Sequence, residues 1–191
     1  MKTIFKAGNM IYPLPAVLVS CGTKEQGYNI LTIAWTGTIC SSPAMCYISV
    51  RPERFSNQII KENGDFFINL TNRQLAFATD WCGVKSGKEI DKFKTLNLTP
   101  IHCNEIKAPY IKESPLSIAC KVKDIIPLGS HDMFIADVIT ILADNKFISP
   151  ENGSFNLEQS EIISYCHGKY YTMGKPIGKF GWSVEKKKRK K

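Results

Sequence analysis

The sequence predicts an antiparallel β-barrel with helical insertions. Three observations predict it. Six or so short apolar runs have strand composition and are joined by tight turns. Only two or three stretches carry helical spacing, and they do not alternate regularly with the strands, which excludes a doubly wound parallel sheet. There is no internal repeat and no GxGxxG or phosphate-loop pattern. With 191 residues and 43% hydrophobic content, the chain suits one domain over 1–185, large enough to bury a core without staples, followed by a basic tail over 186–191.

Ala16 to Cys21 is a strand candidate, and Tyr28 to Trp35 resumes strand character after the polar turn GTKEQG, so the two form a hairpin. On the second strand Asn29, Leu31, Ile33 and Trp35 share one face and Ile30, Thr32 and Ala34 the other. Thr36 to Pro43 reads as a connection. Asp65 to Leu70 is a strand. Asn72 to Trp81 is a helix that Thr71 or Asn72 can cap. Gly83 to Gly87 is a break, and Glu89 to Leu96 is a short helix with Ile90, Phe93 and Leu96 in line. Pro100 to Ser114 is irregular. Leu116 to Pro127 alternates apolar and polar residues, turns at Gly129-Ser130, and returns as the strand His131 to Leu142. Asn145 to Gly153 is loop, and Ile162 to Tyr171 holds a last strand or ordered loop.

The stretch Ser41 to Gly64 organises the rest. Ala44 to Val50 is a strand, and Pro52 stops it, because proline has no N–H for the ladder and fixes its own φ. Phe55, Ile59 and Ile60 then recur at helical spacing, closed by Gly64 as a left-handed cap. Ser49, Arg51, Ser56 and Asn57 gather at the junction. A helix N-terminus carries unpaired N–H groups and about half a positive charge, and arginine adds a planar fork for phosphate oxygens. These residues fit either a phosphate pocket or a solvated strand-to-helix turn.

Charge and cysteines bound the remaining classes. Six of the net +8 charges lie in Lys186–Lys191, leaving +2 for the body. Such a run reads as a solvated, disordered tail. Without interleaved aromatics it argues against a nucleic-acid partner. Seven cysteines, an odd number with no C-x-x-C pair, argue against a disulfide framework and for a reducing compartment, the cytoplasm. His102–Cys103 and Cys166–His167 are adjacent pairs that point to opposite faces of a strand, so no metal site is expected. No run of eighteen apolar residues exists, so no membrane-spanning helix is expected. Leu18-Val19-Ser20-Cys21 imitates a lipoprotein cleavage box, but Pro13 and Pro15 break the apolar run before it, and a first strand fits better.

Three further groups carry chemistry. Asn29, Thr32 and Trp35 offer an amide, a hydroxyl and an indole along one strand, suited to a planar heterocycle or to an ordinary half-buried strand. Lys92 sits beside Phe93 at a helix start, either a second cation for an anionic ligand or a surface lysine. His131 stands at a hairpin edge, where it either meets a ligand or only satisfies the turn.

NILTIAW (Asn29–Trp35), SSPAMCYISVRPERFSNQIIKENGDFFINL (Ser41–Leu70), DKF (Asp91–Phe93) and LGSHDMFIADV (Leu128–Val138), in that order, resemble the flavin reductase-like family, most of all its flavoredoxin branch. The likeness runs from about Ile11 to about Lys179. It implies a mainly β fold: an FMN-binding split β-barrel, antiparallel and Greek-key-like with a few helices, paired as a homodimer with FMN near the subunit interface. It also implies roles. Asn29, Thr32, Ala34 and Trp35 would line the isoalloxazine; Ser49, Val50, Arg51, Ser56 and Asn57 would hold the ribityl phosphate; Lys92 would approach the flavin or its phosphate; His131 would face the nicotinamide or the ring edge; Tyr165 would lie over the ring. The activity implied is NAD(P)H-dependent flavin reduction, or electron transfer through bound FMN to a redox partner protein. The alternatives are a split-barrel binding module without redox turnover and a nucleic-acid binder driven by the tail.

Overall fold

The computed structural model describes residues 1–185. The basic run 186–191, expected to be disordered, lies outside the described residues. In chain order the elements are β1 (Leu14–Pro15), β2 (Val17–Thr23), β3 (Gly27–Ile33), β4 (Thr36–Ser41), β5 (Ala44–Val50), α1 (Phe55–Asn63), β6 (Asp65–Leu70), a 3-10 turn (Arg73–Leu75), α2 (Ala76–Val84), α3 (Lys92–Thr95), β7 (Pro100–Ile101), β8 (Tyr110–Ile111), β9 (Leu116–Pro127), β10 (Asp132–Ala143), β11 (Ile163–Cys166) and β12 (Lys169–Thr172).

Seven strands form one antiparallel sheet in the order β3-β2-β6-β9-β10-β5-β4. It is an open barrel, mainly β, with helical insertions, as the sequence predicts; α1 sends Ile59 and Ile60 into its core, and α2 and α3 cover its outer face. Its curl brings the end of β3 round to β5, where the Ser49 N–H donates to the Trp35 carbonyl at 2.9 Å. β6 shows why the sheet needs two covers. Phe66 and Ile68 point into the barrel with Val19, Ile48, Ile60 and Phe134, while Phe67 packs outward against Ile106, Ala108 and Ala119. Both faces are dry, so the strand reads as a nearly continuous apolar run. Phe66 and Phe134 are fully buried, and truncating either to alanine costs about 3–5 kcal/mol. On the outer face of β2 and β3, Leu18 and Ile30 are covered by Leu75, Ala78 and Cys82 and by Phe93.

Several elements differ from the sequence expectation for identifiable reasons. Thr36–Pro43 is not a loose connection: Thr36–Ser41 is the edge strand β4, paired to β5. Its half-exposed residues carry no apolar alternation of their own. The helix expected over Glu89–Leu96 shrinks to Lys92–Thr95, because the Asp91 carboxylate caps the Lys94 N–H at 3.0 Å and so starts the helix after itself. Asn72 caps its helix as expected, accepting from the Leu75 N–H, but the first turn is 3-10 and the α-helix runs on to Val84. The first hairpin turn is tighter than GTKEQG, with Thr23 opposite Gly27. The segment expected to be irregular holds the small ladder β7–β8, and Ile162–Tyr171 holds the hairpin β11–β12, whose first strand also pairs with Leu14–Pro15. The return strand starts at Asp132, leaving His131 in the turn.

Gly64 takes φ 72° and its N–H closes α1 on the Ile60 carbonyl, the cap the sequence predicts. Leu18-Val19-Ser20-Cys21 is the buried centre of β2. Among the described residues, no helix is long and apolar enough to cross a membrane, and no three His, Cys, Asp or Glu side chains gather as for a metal ion.

Candidate functional site: a cationic groove at the β5–α1 junction

The groove begins where β5 gives way to α1. Pro52 ends the strand, and the Arg54 N–H turns back to the Arg51 carbonyl at 3.0 Å. Arg54 is the N-cap of α1 in extended conformation and gives the helix no side-chain cap. The first turn therefore faces a cavity of about 320 Å³, lined by Asn29, Arg51, Arg54, Phe55, Ser56, Lys85, Ser86 and Lys92 among others. A second compartment of about 170 Å³ is lined by Thr32, Ala34, Trp35, Ser49, Val50 and His131. Leu31, Arg51 and Arg54 belong to both, so the two compartments form one groove.

The electrostatics are one-sided. Arg51, Arg54, Lys85 and Lys92 bring four cations, and the only carboxylate in the lining is Glu53, 3.4 Å from Arg51. Asn29 is buried and donates to the Ser56 hydroxyl at 2.7 Å, tying β3 to the first turn of α1. Gly87 makes room for it: a Cβ there would stand 2.0 Å from the Asn29 amide oxygen. Lys92 is only 3% exposed, and its ammonium donates to the Ile30 carbonyl at 2.7 Å and the Cys82 carbonyl at 3.0 Å. Burial pushes the Lys92 pKa below its ordinary value, against the pull of the neighbouring cysteines. Burial also lifts the Cys82 thiol to about 11 and the Cys21 thiol to about 12, so both stay neutral at pH 7.

His131 sits beside Arg51 because Asp132, the next residue, pairs with Val50. Its ring lies 4.3 Å from Trp35, and its Nδ1 is 2.9 Å from the Ser130 hydroxyl. Burial, then the Arg51 charge, lowers its pKa, which favours the neutral imidazole. Behind the junction, Asp132 accepts from Lys61 at 2.9 Å and from Asn57 at 3.0 Å, and these bonds hold its carboxyl below the usual range.

The structure therefore gathers ten of the twelve sequence-predicted residues around the groove. Asn57 is not among them. It is buried behind the junction, donating to the Val50 carbonyl at 3.3 Å and to Asp132, so it fixes the helix rather than lining the groove. Tyr165 also lies elsewhere, in a separate cavity that shares only Thr32 and Ala34 with the groove. Lys92 is neither a surface lysine nor a free one. Sequence reasoning missed Arg54, Lys85, Ser86 and Gly87. For Arg54 a signal existed: a cation at a helix N-terminus opposes the helix dipole, so it stands there at a cost unless an anion joins it.

A family profile described as "Flavin reductase like domain" matches residues 9–174. Among solved structures, the chain is similar to the flavoredoxin of Desulfovibrio vulgaris (Miyazaki F), at 28% identity and TM-score 0.89, covering 97% of this chain and 100% of that one. The nitrilotriacetate monooxygenase component B of Bacillus cereus matches in fold at 21% identity and TM-score 0.81, over 88% of each chain. In sequence, the reductase component of the FADH(2)-dependent resorcinol hydroxylase of Rhizobium sp. is 24% identical over 125 residues, 65% of this chain and 67% of that protein.

Proposed function

We propose that this chain, which belongs to the flavin reductase-like family, holds FMN in the cationic groove and uses it to carry electrons from NAD(P)H to a flavin or protein acceptor. The observation that carries the reading is the groove itself: two joined compartments that share Arg51 and Arg54, the larger adding Lys85 and Lys92 and the smaller adding Ala34, Trp35 and His131. A ligand with an anionic end and a planar end matches that division.

The residues present fit FMN. The cations outnumber the single carboxylate, which is already paired, so a phosphate meets donors rather than acceptors. Arg51 and Arg54 supply charge where the first turn of α1 adds its positive end. Ser49 and Ser56 bring hydroxyls, and Val50 closes the strand side. Asn29, Thr32, Ala34 and Trp35 would border the ring, and Asn57 holds α1 at the Val50 carbonyl so that the junction keeps its shape. Bound FMN supplies the two-electron redox chemistry. Lys92 places a fixed positive group in the wall, which favours negative charge nearby. His131, held by Ser130 and Trp35, borders the mouth of the smaller compartment and orients what enters there. No side chain needs to act as a general acid or base. A homodimer, a cytoplasmic location and a redox partner protein complete the proposal, all from the family likeness.

A second reading, from the family likeness, is that no nicotinamide stacks and the protein is an electron carrier. One titration series separates these. Purified protein should be yellow or turn yellow with FMN, and anaerobic NADH or NADPH should bleach it. A protein that takes up FMN but is reduced only by a partner protein is the carrier. A protein that stays colourless with added FMN overturns both.

A further inference from the structure

We propose that the cavity between α2 and the β11–β12 hairpin is a second ligand site, one that takes a neutral planar ring bearing an N–H or O–H donor and turns anions away. The cavity is about 330 Å³, within the ~300–1,000 Å³ typical of small-molecule sites and enough for a single ring system. Its wall is aromatic: Tyr165 and Tyr170 stand with ring centroids 5.6 Å apart at 58°. Its floor is Gly83, where an added Cβ would already touch the Thr32 side chain at 3.4 Å. The absent side chain is what lets the cavity reach β3.

Beside the hydroxyls of Thr32, Tyr165 and Tyr170, the one charged group in the lining is the exposed carboxylate of Asp80. Asp80 accepts from the Tyr170 hydroxyl through Oδ1 at 3.2 Å, and its other oxygen has no protein partner among the described residues. Burial first, then Asp80, raises the Tyr170 phenol to about 12, so it remains a donor committed to Asp80. Among the described residues no lysine or arginine lines this cavity, whereas four line the groove. A carboxylate without a cation repels phosphates and carboxylates. The same carboxylate accepts from an amide or hydroxyl on a ring that packs against the tyrosine wall. Thr32 and Ala34 are the partition, since both border the smaller compartment of the groove as well. The site stands whether or not the groove holds FMN.

The test uses the full chain and two probes, neutral 4-hydroxybenzamide and anionic 4-hydroxybenzoate, titrated by calorimetry with and without saturating FMN. The amide should bind at least about tenfold tighter than the benzoate, and FMN should not compete with it. Asp80→Asn should erase the difference. Val84→Arg, at an exposed lining position on the last turn of α2, should swing the preference toward the benzoate without touching the core. Equal affinities in the unaltered chain, a ratio unmoved by both substitutions, displacement by FMN, or no binding of the amide would overturn the proposal. FMN uptake in the same titrations reads the groove separately, so failure of one site leaves the other judged on its own.

Discussion

The two walls of the groove carry the same sign of charge on opposite physical terms. At the end of β5, Arg51 is 56% exposed, rests on Glu53 across 3.4 Å, and stands beside Arg54 on a turn that water reaches freely. On the α2–α3 wall, Lys92 is 3% exposed and its ammonium is held by two backbone carbonyls. An exposed guanidinium is free to meet or release a ligand and answers to salt. A buried ammonium is part of the fold, because removing it strands the carbonyls it satisfies. Of these two cations, then, Arg51 is placed for exchange and Lys92 for position.

The comparison breaks most readily at Lys92. Lys92→Met should cost about 2–6 kcal/mol of stability, since two buried acceptors lose their donor at ~1–3 kcal/mol each. Urea unfolding of the FMN-free protein measures it, and a loss below about 0.5 kcal/mol, the size of a surface change, would make Lys92 an ordinary lysine. The pH sign is also fixed. A lysine with a lowered folded pKa binds fewer protons folded than unfolded in the window just below its ordinary value, so stability should rise with pH there. The Met variant should lose that rise.

Arg51→Ala should do the reverse. Stability should stay within about 0.5 kcal/mol, while FMN affinity falls about 10- to 100-fold, the loss of a charge-assisted bond of ~1.5–3 kcal/mol. Riboflavin, which has no phosphate, should bind almost as before. Equal losses for the two ligands would take Arg51 away from the phosphate, and the gap should narrow in high salt.

Asp132 sharpens the comparison behind the exposed wall. Its folded pKa is lowered by Lys61 first and Asn57 next, so its contribution is present above the unfolded carboxylate value of about 3.9 and is lost as pH falls through the folded one. Asp132→Asn should flatten the acid limb of a melting-temperature profile. An unchanged limb would detach Asp132 from the junction. The smallest effect belongs to His131→Ala: FMN affinity within about threefold and reduction by NAD(P)H slowed by about 3- to 10-fold. Stopped-flow turnover equal to the parent would remove His131 from the site.

Much of the fold is legible because local and global signals agree. Pro52, the Phe55–Ile59–Ile60 spacing and Gly64 mark α1 within a residue, and DFFINL reads as a strand because both of its faces are covered. β4 is not legible: TGTICS has no apolar alternation and is only half-exposed, and becomes a strand because β5 offers it a ladder. The site divides in the same way. Ser49, Arg51 and Ser56 are neighbours of a visible junction. Lys85, Ser86 and Gly87 come from a break after α2, and nothing local says that this break folds over Asn29.

The sequence alone was enough for most strand and helix types, though not for β4 or the β7–β8 ladder, and for the place where β5 hands the chain to α1 and the family to which the chain belongs. These depend on periodicity, capping and turn chemistry within a few residues. Only the tertiary structure decided that Asn57 turns inward to Asp132 while Ser56 faces the groove, that Lys92 is buried against Ile30 and Cys82, and that Tyr165 joins Asp80 and Tyr170 instead of Arg51. The reason is that burial and partnership are set by contacts between residues far apart in the chain, and a side chain's charge and reach take their meaning from those contacts.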